Sequence, residues 1–365
     1  MRAWFRQNHG KLQFGLRMTL AALASYGLGE ALGLAQNYWA VLSAVIVIQG
    51  SVGGSLRAGI NRFVGTVGGA IWGAVVALTV PHNEPAIIAV ALLLALAPLS
   101  ILTAFRPAYR VAPITAIIVL MGASFQKAEP ISSALSRVVE ISLGSAVAIA
   151  VALFILPASA HRLLATAASN VVAAMAEIMS LFEAAAGGSV NALALLAIQS
   201  RLRAGLAQTE THTDEAKVEL MNRLSEGPDP EPLARTLQRL RHDLAMVARA
   251  IRTPFSELVR SRFNAPLTTL YATLASWFIA TSKALAAREQ PPDLDGVRTA
   301  VEEYKTAVAL CGHDGLGYEA ENDDTQRVYA LLFLFEQMLP NLQDLADRTK
   351  ELSATTQALN ESGGA

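Results

Sequence analysis

Charge is what this chain of 365 residues has least of: Asp, Glu, Lys and Arg make up 16% of it, against roughly 25% in an ordinary soluble domain. The shortfall lies before about Pro157, which excludes a solvated globular first half. Cysteine is nearly absent. Cys311 stands alone, which excludes an internal disulfide and fits a reducing compartment for the second half. No paired Cys/His spacing suggests structural zinc, and no Gly-rich loop carries the Lys and Ser/Thr of a phosphate site. The chain is therefore not expected to hydrolyse ATP, to be an enzyme, or to hold a metal or cofactor. No strand alternation competes with helical periodicity, so the fold class expected is all-α. The formal net charge of −1 identifies no partner, because basic and acidic residues are segregated by region.

Long apolar runs are what the first half has instead. They fall at Phe14 to Leu34, Tyr38 to Val52, Phe63 to Val80, Ala86 to Ala104, Val111 to Phe125 and Val138 to Leu156. The first, about 21 residues, is enough to cross a hydrocarbon core of about 30 Å, and it reads as a retained span rather than a secretory signal. Arg2, Arg6 and Lys11 with Trp4 and Phe5 form a basic, aromatic flank suited to an anionic membrane face. Short connections force the six runs to alternate in direction. One side then collects the N-terminal basic residues, Arg57 with Arg62, Arg106 with Arg110, and Arg162; the other has only Lys127 and Arg137, in its third connection. The positive-inside bias puts both termini in the cytoplasm. The expectation is a six-span transmembrane domain over 1–157, followed by a cytoplasmic helical domain over 158–365.

Between the second and third runs, Gln49 to Gly69 reads as a glycine-rich turn carrying Arg57 and Arg62. Arg62 precedes Gly69 by seven residues and Pro81 by about a helix length; Arg137 stands in the same relation to Gly144 and Pro157. Each arginine opens the last span of a three-span group whose middle span is short and follows a tyrosine, Tyr38 or Tyr109. Groups with an odd number of spans must be inverted, so the pattern predicts a three-plus-three inverted repeat of the kind common in secondary transporters. Gly50, Gly53, Gly54 and Pro113 in the short spans mark the matching interruptions.

Charges inside or bordering the runs divide by their neighbours. Arg17, Arg57, Arg106 and Arg110 read as side chains snorkelling to headgroups. Arg62 is followed by Gly65, Thr66, Gly68 and Gly69, a small-residue face for close helix packing, and is expected inside the bundle. Gly144 plays the same packing part beside Arg137. Glu140, one turn beyond Arg137, would pair with it or serve, like Glu30, as a protonatable group for coupling.

The run Asn37, Tyr38, Trp39, Ala40, Val41, Leu42, then Gln49, Gly53, Arg57, Arg62, Gly65 and Thr66 resembles the signature of the fusaric acid resistance and aromatic acid exporter family. That membrane domain is also similar to the one in plant aluminium-activated malate channels. The resemblance covers about the first 160 residues, and the chain departs from it at Asn37 and Gly50, where prolines are common. It implies export of aromatic or other organic acids across a bacterial inner membrane, and a homodimer. Membrane lipid and a small organic anion are the partners expected, and a periplasmic adaptor is left open.

In the second half, Leu233, Leu237, Leu240, Leu244, Val247 and Ile251 keep the four-three spacing of a helix packed along one seam. Other helices are expected at about 161–186, 190–224, 266–288, 294–310 and 324–352, the last kinked at Pro340, with Thr253-Pro254 opening one helix and a frayed tail from Ser353. Arg235, Arg239, Arg241, Arg249, Arg252, Arg260 and Arg262 form a basic stripe. It reads first as a solvated face paired with acidic neighbours. The alternatives are a surface that holds anionic substrate or lipid; nucleic acid is not expected, since no recognition motif accompanies it. His212 near Asp214 and Glu215, His242 beside Asp243 and His313 beside Asp314 read as surface histidines.

The leading expectation is a proton-coupled exporter of organic anions. Arg62, Arg57, Arg137 and Gln49 would line the path, and Tyr38 and Trp39 would stack on an aromatic body. A passive anion channel is the second reading, and a membrane-anchored assembly or regulatory protein acting through its helical domain is the third.

Overall fold

The structure, a computed structural model, describes residues 9–81, 84–126, 129–185, 189–313 and 322–362. Arg2, Trp4, Phe5, Arg6, His82, Lys127 and Asp314 lie outside the described residues, as do the side chains of Cys311 and His313. Among the described residues there are twelve α-helices and no strand. The chain divides into two compact units, Met1–Ala160 and His161–Ala365.

The first unit holds α1 (His9–Ala31), α2 (Tyr38–Val47), α3 (Val52–Thr79), α4 (Pro85–Phe105), a 3₁₀ turn at Pro107–Tyr109, α5 (Ala112–Gln126) and α6 (Pro130–Phe154). Proline at the first helical position opens both α4 and α6, where a missing N–H costs nothing. The glycine-rich stretch expected as a turn is helix. Ser51 caps α3, its hydroxyl accepting from Gly54 N at 2.9 Å, and the helix runs on through Gly53, Gly54, Gly59, Gly65, Gly68 and Gly69. Glycine's poor intrinsic helicity is overridden because most of these positions face other helices. Arg62 consequently lies about ten residues, roughly 15 Å, inside α3 rather than at its entrance.

By length and composition, α3, α4, α6 and Ala160–Ala185 are long and apolar enough to cross a membrane. Helices α2 and α5, at 10 and 15 residues, are too short, and α1 carries Lys11, Arg17 and Glu30. The six-run expectation is thus not met by length and apolarity alone.

Packing in this unit follows an exchange. One apolar core joins Val76 and Ala77 of α3, Ala91, Ala95 and Leu99 of α4, and Ala112, Ala116 and Leu120 of α5. The other joins Ala21 of α1, Ala44 and Val47 of α2, and Val147, Ala148 and Val151 of α6. Each core combines two helices of one three-helix group with the third helix of the other. Glycines make the exchange possible: a Cβ on Gly69 would lie 2.2 Å from Ala112 O, and one on Gly144 2.0 Å from Ala40 O. The two glycines spaced seven residues beyond Arg62 and Arg137 therefore make matching backbone contacts, α3 on α5 and α6 on α2. Gly65 also packs, with Val111 Cβ 3.4 Å from its would-be Cβ, but Gly68 meets nothing within 4 Å and is not a packing residue. Helix periodicity turns it away from the face that Gly65 and Gly69 share.

The second unit continues as α7 (Ala160–Ala185), α8 (Ala192–Met221), α9 (Glu231–Ala250), α10 (Glu257–Ala287), α11 (Asp295–His313) and α12 (Asn322–Ser362). Its apolarity makes α7 look like a span, yet Leu164, Val172, Met175, Met179 and Phe182 are all buried in this unit's core. The seam of α9 is buried at Leu233, Leu237, Leu240, Leu244 and Val247. Edge-to-face rings run through the core from Phe182 to Tyr271 to Phe335 to Tyr304, with centroids 5.9–6.1 Å apart. Three expectations are corrected. Thr253-Pro254 lies in a non-helical connection, and α10 begins after Ser256, whose N–H donates to Asp324 Oδ2 at 2.8 Å. Pro266 sits inside α10 rather than at its start. The backbone of α12 stays helical to Ser362.

Candidate functional site

The polar groups of the first unit collect along α2 and the flanking connections. At one end Gln36 Oε1 accepts from three donors: Arg137 Nη2, Tyr38 OH at 3.0 Å and Trp39 Nε1 at 3.3 Å. The Arg137 guanidinium also lies over the Trp39 ring, 4.9 Å from its centroid, and forms an ion pair with Glu140 at 3.0 Å. Glu140 Oε1 in turn accepts from Gln36 N at 3.2 Å. Arg137 is 3% exposed and Glu140 1%. Two aromatic rings, Tyr38 and Trp39, stand beside this cluster with centroids 5.3 Å apart, Tyr38 largely exposed.

Half-way along α2, Ser43 Oγ accepts from Arg62 Nε at 2.8 Å and lies 3.0 Å from both Ile141 O and Ser145 Oγ. Ser145 donates to Ile141 O at 2.7 Å. Arg62 is 8% exposed. Arg137 and Ser145 are two turns apart on α6, about 12 Å along the axis, so the two arginines are joined by one helix face within less than half of a bilayer core. They are not at opposite membrane faces, as the sequence repeat implied.

Beyond the other end of α2, Arg17 Nη2 donates to Gly50 O at 2.9 Å. Its guanidinium was expected to snorkel, but the residue is 1% exposed, with Nε and Nη1 buried and unpartnered among the described residues. Arg17 and Arg62 have no acidic partner among the described residues, so of three buried guanidiniums only Arg137 has a carboxylate.

Other expected site residues fall outside this column. Arg57 is on an exposed face of α3. Glu30 is exposed and accepts from Asn37 Nδ2 at 3.1 Å. Gln49 donates through Nε2 to Ile46 O at 2.9 Å, closing the end of α2. Thr66 is buried with its hydroxyl unpartnered among the described residues.

This layout can be set beside known proteins. The chain belongs to the fusaric acid resistance protein family. The match runs over residues 11–364, so family membership takes in the second unit and is wider than the 160 residues that suggested it. The fusaric acid resistance family is associated with membrane transport and efflux, and its apolar helices make this member a multi-pass membrane protein. No curated protein matches it.

For this fusaric acid resistance family member, Gln36, Ser43, Ser145 and the burial of Arg17 are what the sequence did not single out. Ser43 had a signal, being the one polar side chain between Trp39 and Gln49. Gln36 had none, since a glutamine in a connection is ordinary. In the second unit, His212 Nδ1 meets Glu215 Oε2 at 2.9 Å on one helix, and His242 is exposed. Among the described residues no group of His, Cys, Asp and Glu is placed to hold a metal ion. The basic stripe is paired at Arg235 with Glu231, Arg239 with Asp344 and Arg260 with Glu257.

Proposed function

We propose that this protein is a six-span transporter of a bacterial inner membrane that exports organic, chiefly aromatic carboxylic, acid anions under a proton gradient. The observation that carries this reading is the column of three buried guanidiniums with one carboxylate among them. A charge inside a membrane domain costs several kcal/mol unless it is paired or meets a wet cavity. An organic anion moving past Arg137, Arg62 and Arg17 would supply the missing counter-charge in turn, and such passage needs no covalent chemistry. Tyr38 and Trp39 offer rings for an aromatic body, and Glu140 is the buried carboxylate suited to carry a proton.

Short helices such as α2 and α5 are tolerated at membrane depth where protein covers their ends, which supports counting them with α1, α3, α4 and α6 as six spans. In this reading both termini and the second unit are cytoplasmic, and the working form is a homodimer. Purified protein in liposomes should give saturable flux of radiolabelled 4-hydroxybenzoate that accelerates under an imposed pH gradient. Flux that follows voltage and ignores the gradient would favour the channel instead, and no saturable flux would remove both readings.

A further inference from the structure

Among the described residues of the second unit, two concavities differ in their chemistry. The larger, about 580 Å³, is lined by polar groups already paired with one another: Lys217 with Glu231 at 2.6 Å and Arg239 with Asp344 as ion pairs, and Gln238 donating to Glu210 at 2.8 Å. The smaller, about 320 Å³, lies between α7, α8 and α9. Its floor is apolar, from Ile178, Leu202 and Leu244, all nearly fully buried, with Ala245 and Ala248 beside them. Its polar groups include Arg203, Arg241, Gln199 and His242, and none is acidic. Arg203 and Arg241 are exposed and form no ion pair among the described residues.

The helix register gives this pocket a polarity. The Lys217–Glu231 and Gln238–Glu210 contacts fix α8 and α9 as antiparallel neighbours and set Arg203 opposite Ala245. Arg203 is then within about one turn, ~6 Å, of Arg241 along the shared axis. Both guanidiniums stand toward one end. The apolar wall continues the other way, through Leu196 on α8 and Ala248 on α9. A volume near 300 Å³, mostly apolar lining and a few convergent polar groups are the features of a small-molecule site. Arginine is suited to hold a planar carboxylate with two parallel hydrogen bonds.

We propose that the α7–α8–α9 pocket binds a small amphipathic organic anion, an aryl carboxylate, with its carboxylate on Arg203 and Arg241 and its ring on Leu202, Leu244 and Ala245. The site belongs to the second unit alone and stands or falls separately from the transport path. Its test is calorimetric titration of salicylate into the full chain in phosphatidylcholine nanodiscs, with salicylamide and acetate as controls lacking the charge or the ring. Salicylate should bind, and both controls should bind at least about tenfold more weakly. The Arg203→Gln/Arg241→Gln double variant, whose side chains are exposed, should lose at least about tenfold in affinity, and so should Ala245→Trp, which fills the pocket. Salicylate held along the transport path is what Arg62→Ala would remove; the binding that the double variant loses should persist in Arg62→Ala, which separates the two sites. Unaltered affinity in the double variant and in Ala245→Trp would overturn the proposal.

Discussion

Arg62 Nε donates to Ser43 Oγ at 2.8 Å, and that one hydroxyl is also 3.0 Å from Ser145 Oγ. Three helices, α3, α2 and α6, thereby meet at a fully buried serine. Ser43→Ala leaves the Arg62 Nε–H without its acceptor in a buried setting. The expected cost is about 1–3 kcal/mol of stability, read as a lower melting temperature of the purified protein in detergent. An unchanged melting temperature would mean that water replaces the hydroxyl.

The matched glycine contacts make a second prediction with an internal control. Gly69→Ala and Gly144→Ala each place a methyl 2.0–2.2 Å from a backbone oxygen, which cannot yield as a side chain can. Each should destabilise by about 1–3 kcal/mol or more. Gly68→Ala, whose methyl meets nothing within 4 Å, should be neutral or slightly stabilising, since alanine favours helix. Equal losses in all three would contradict the paired-exchange packing.

Glu140 is nearly fully buried and paired with Arg137. If it carries the coupling proton, Glu140→Gln should keep downhill 4-hydroxybenzoate flux in liposomes while losing acceleration by a pH gradient. Retained acceleration would assign Glu140 a purely structural part.

Asp243, in the second unit, offers a prediction about pH. Burial raises its carboxyl above the ordinary 3.8, more than the Asn341 hydrogen bond and the nearby His242 and Arg239 charges lower it. The folded chain therefore holds this proton more tightly than the unfolded chain. The group costs no stability below its unfolded value and becomes destabilising as pH rises through the folded one. Asp243→Asn, which can still accept from Asn341 Nδ2, should raise the melting temperature at pH 7 and converge with wild type near pH 3. A variant less stable at pH 7 would show that the hydrogen bond outweighs the burial cost.

Much of the architecture was legible because it rests on periodicity and small-residue spacing. The α9 seam at Leu233–Val247 and the seven-residue steps from Arg62 to Gly69 and Arg137 to Gly144 carry their structural meaning in the sequence. Where glycines cluster after Ser51, local propensity favours a turn, and only the contacts made by Gly59, Gly65 and Gly69 with other helices make it helix. The interior of α10 at Pro266 is a similar override. Site residues were least visible where their role is to accept. Gln36 matters because Arg137, Tyr38 and Trp39 converge on its carbonyl, and Arg17 because its helix turns it inward to Gly50. Neither convergence has a sequence signature.

If anions pass along the column containing Arg62, that guanidinium supplies part of their counter-charge. The most direct test is saturable 4-hydroxybenzoate flux into liposomes holding Arg62→Ala, compared with Arg57→Ala and wild type at matched protein content and melting temperature. Arg62→Ala should lose at least about tenfold in flux, the scale of one charge-assisted contact, while Arg57→Ala, on an exposed face, should stay near wild type. Wild-type flux in Arg62→Ala would contradict passage along this column.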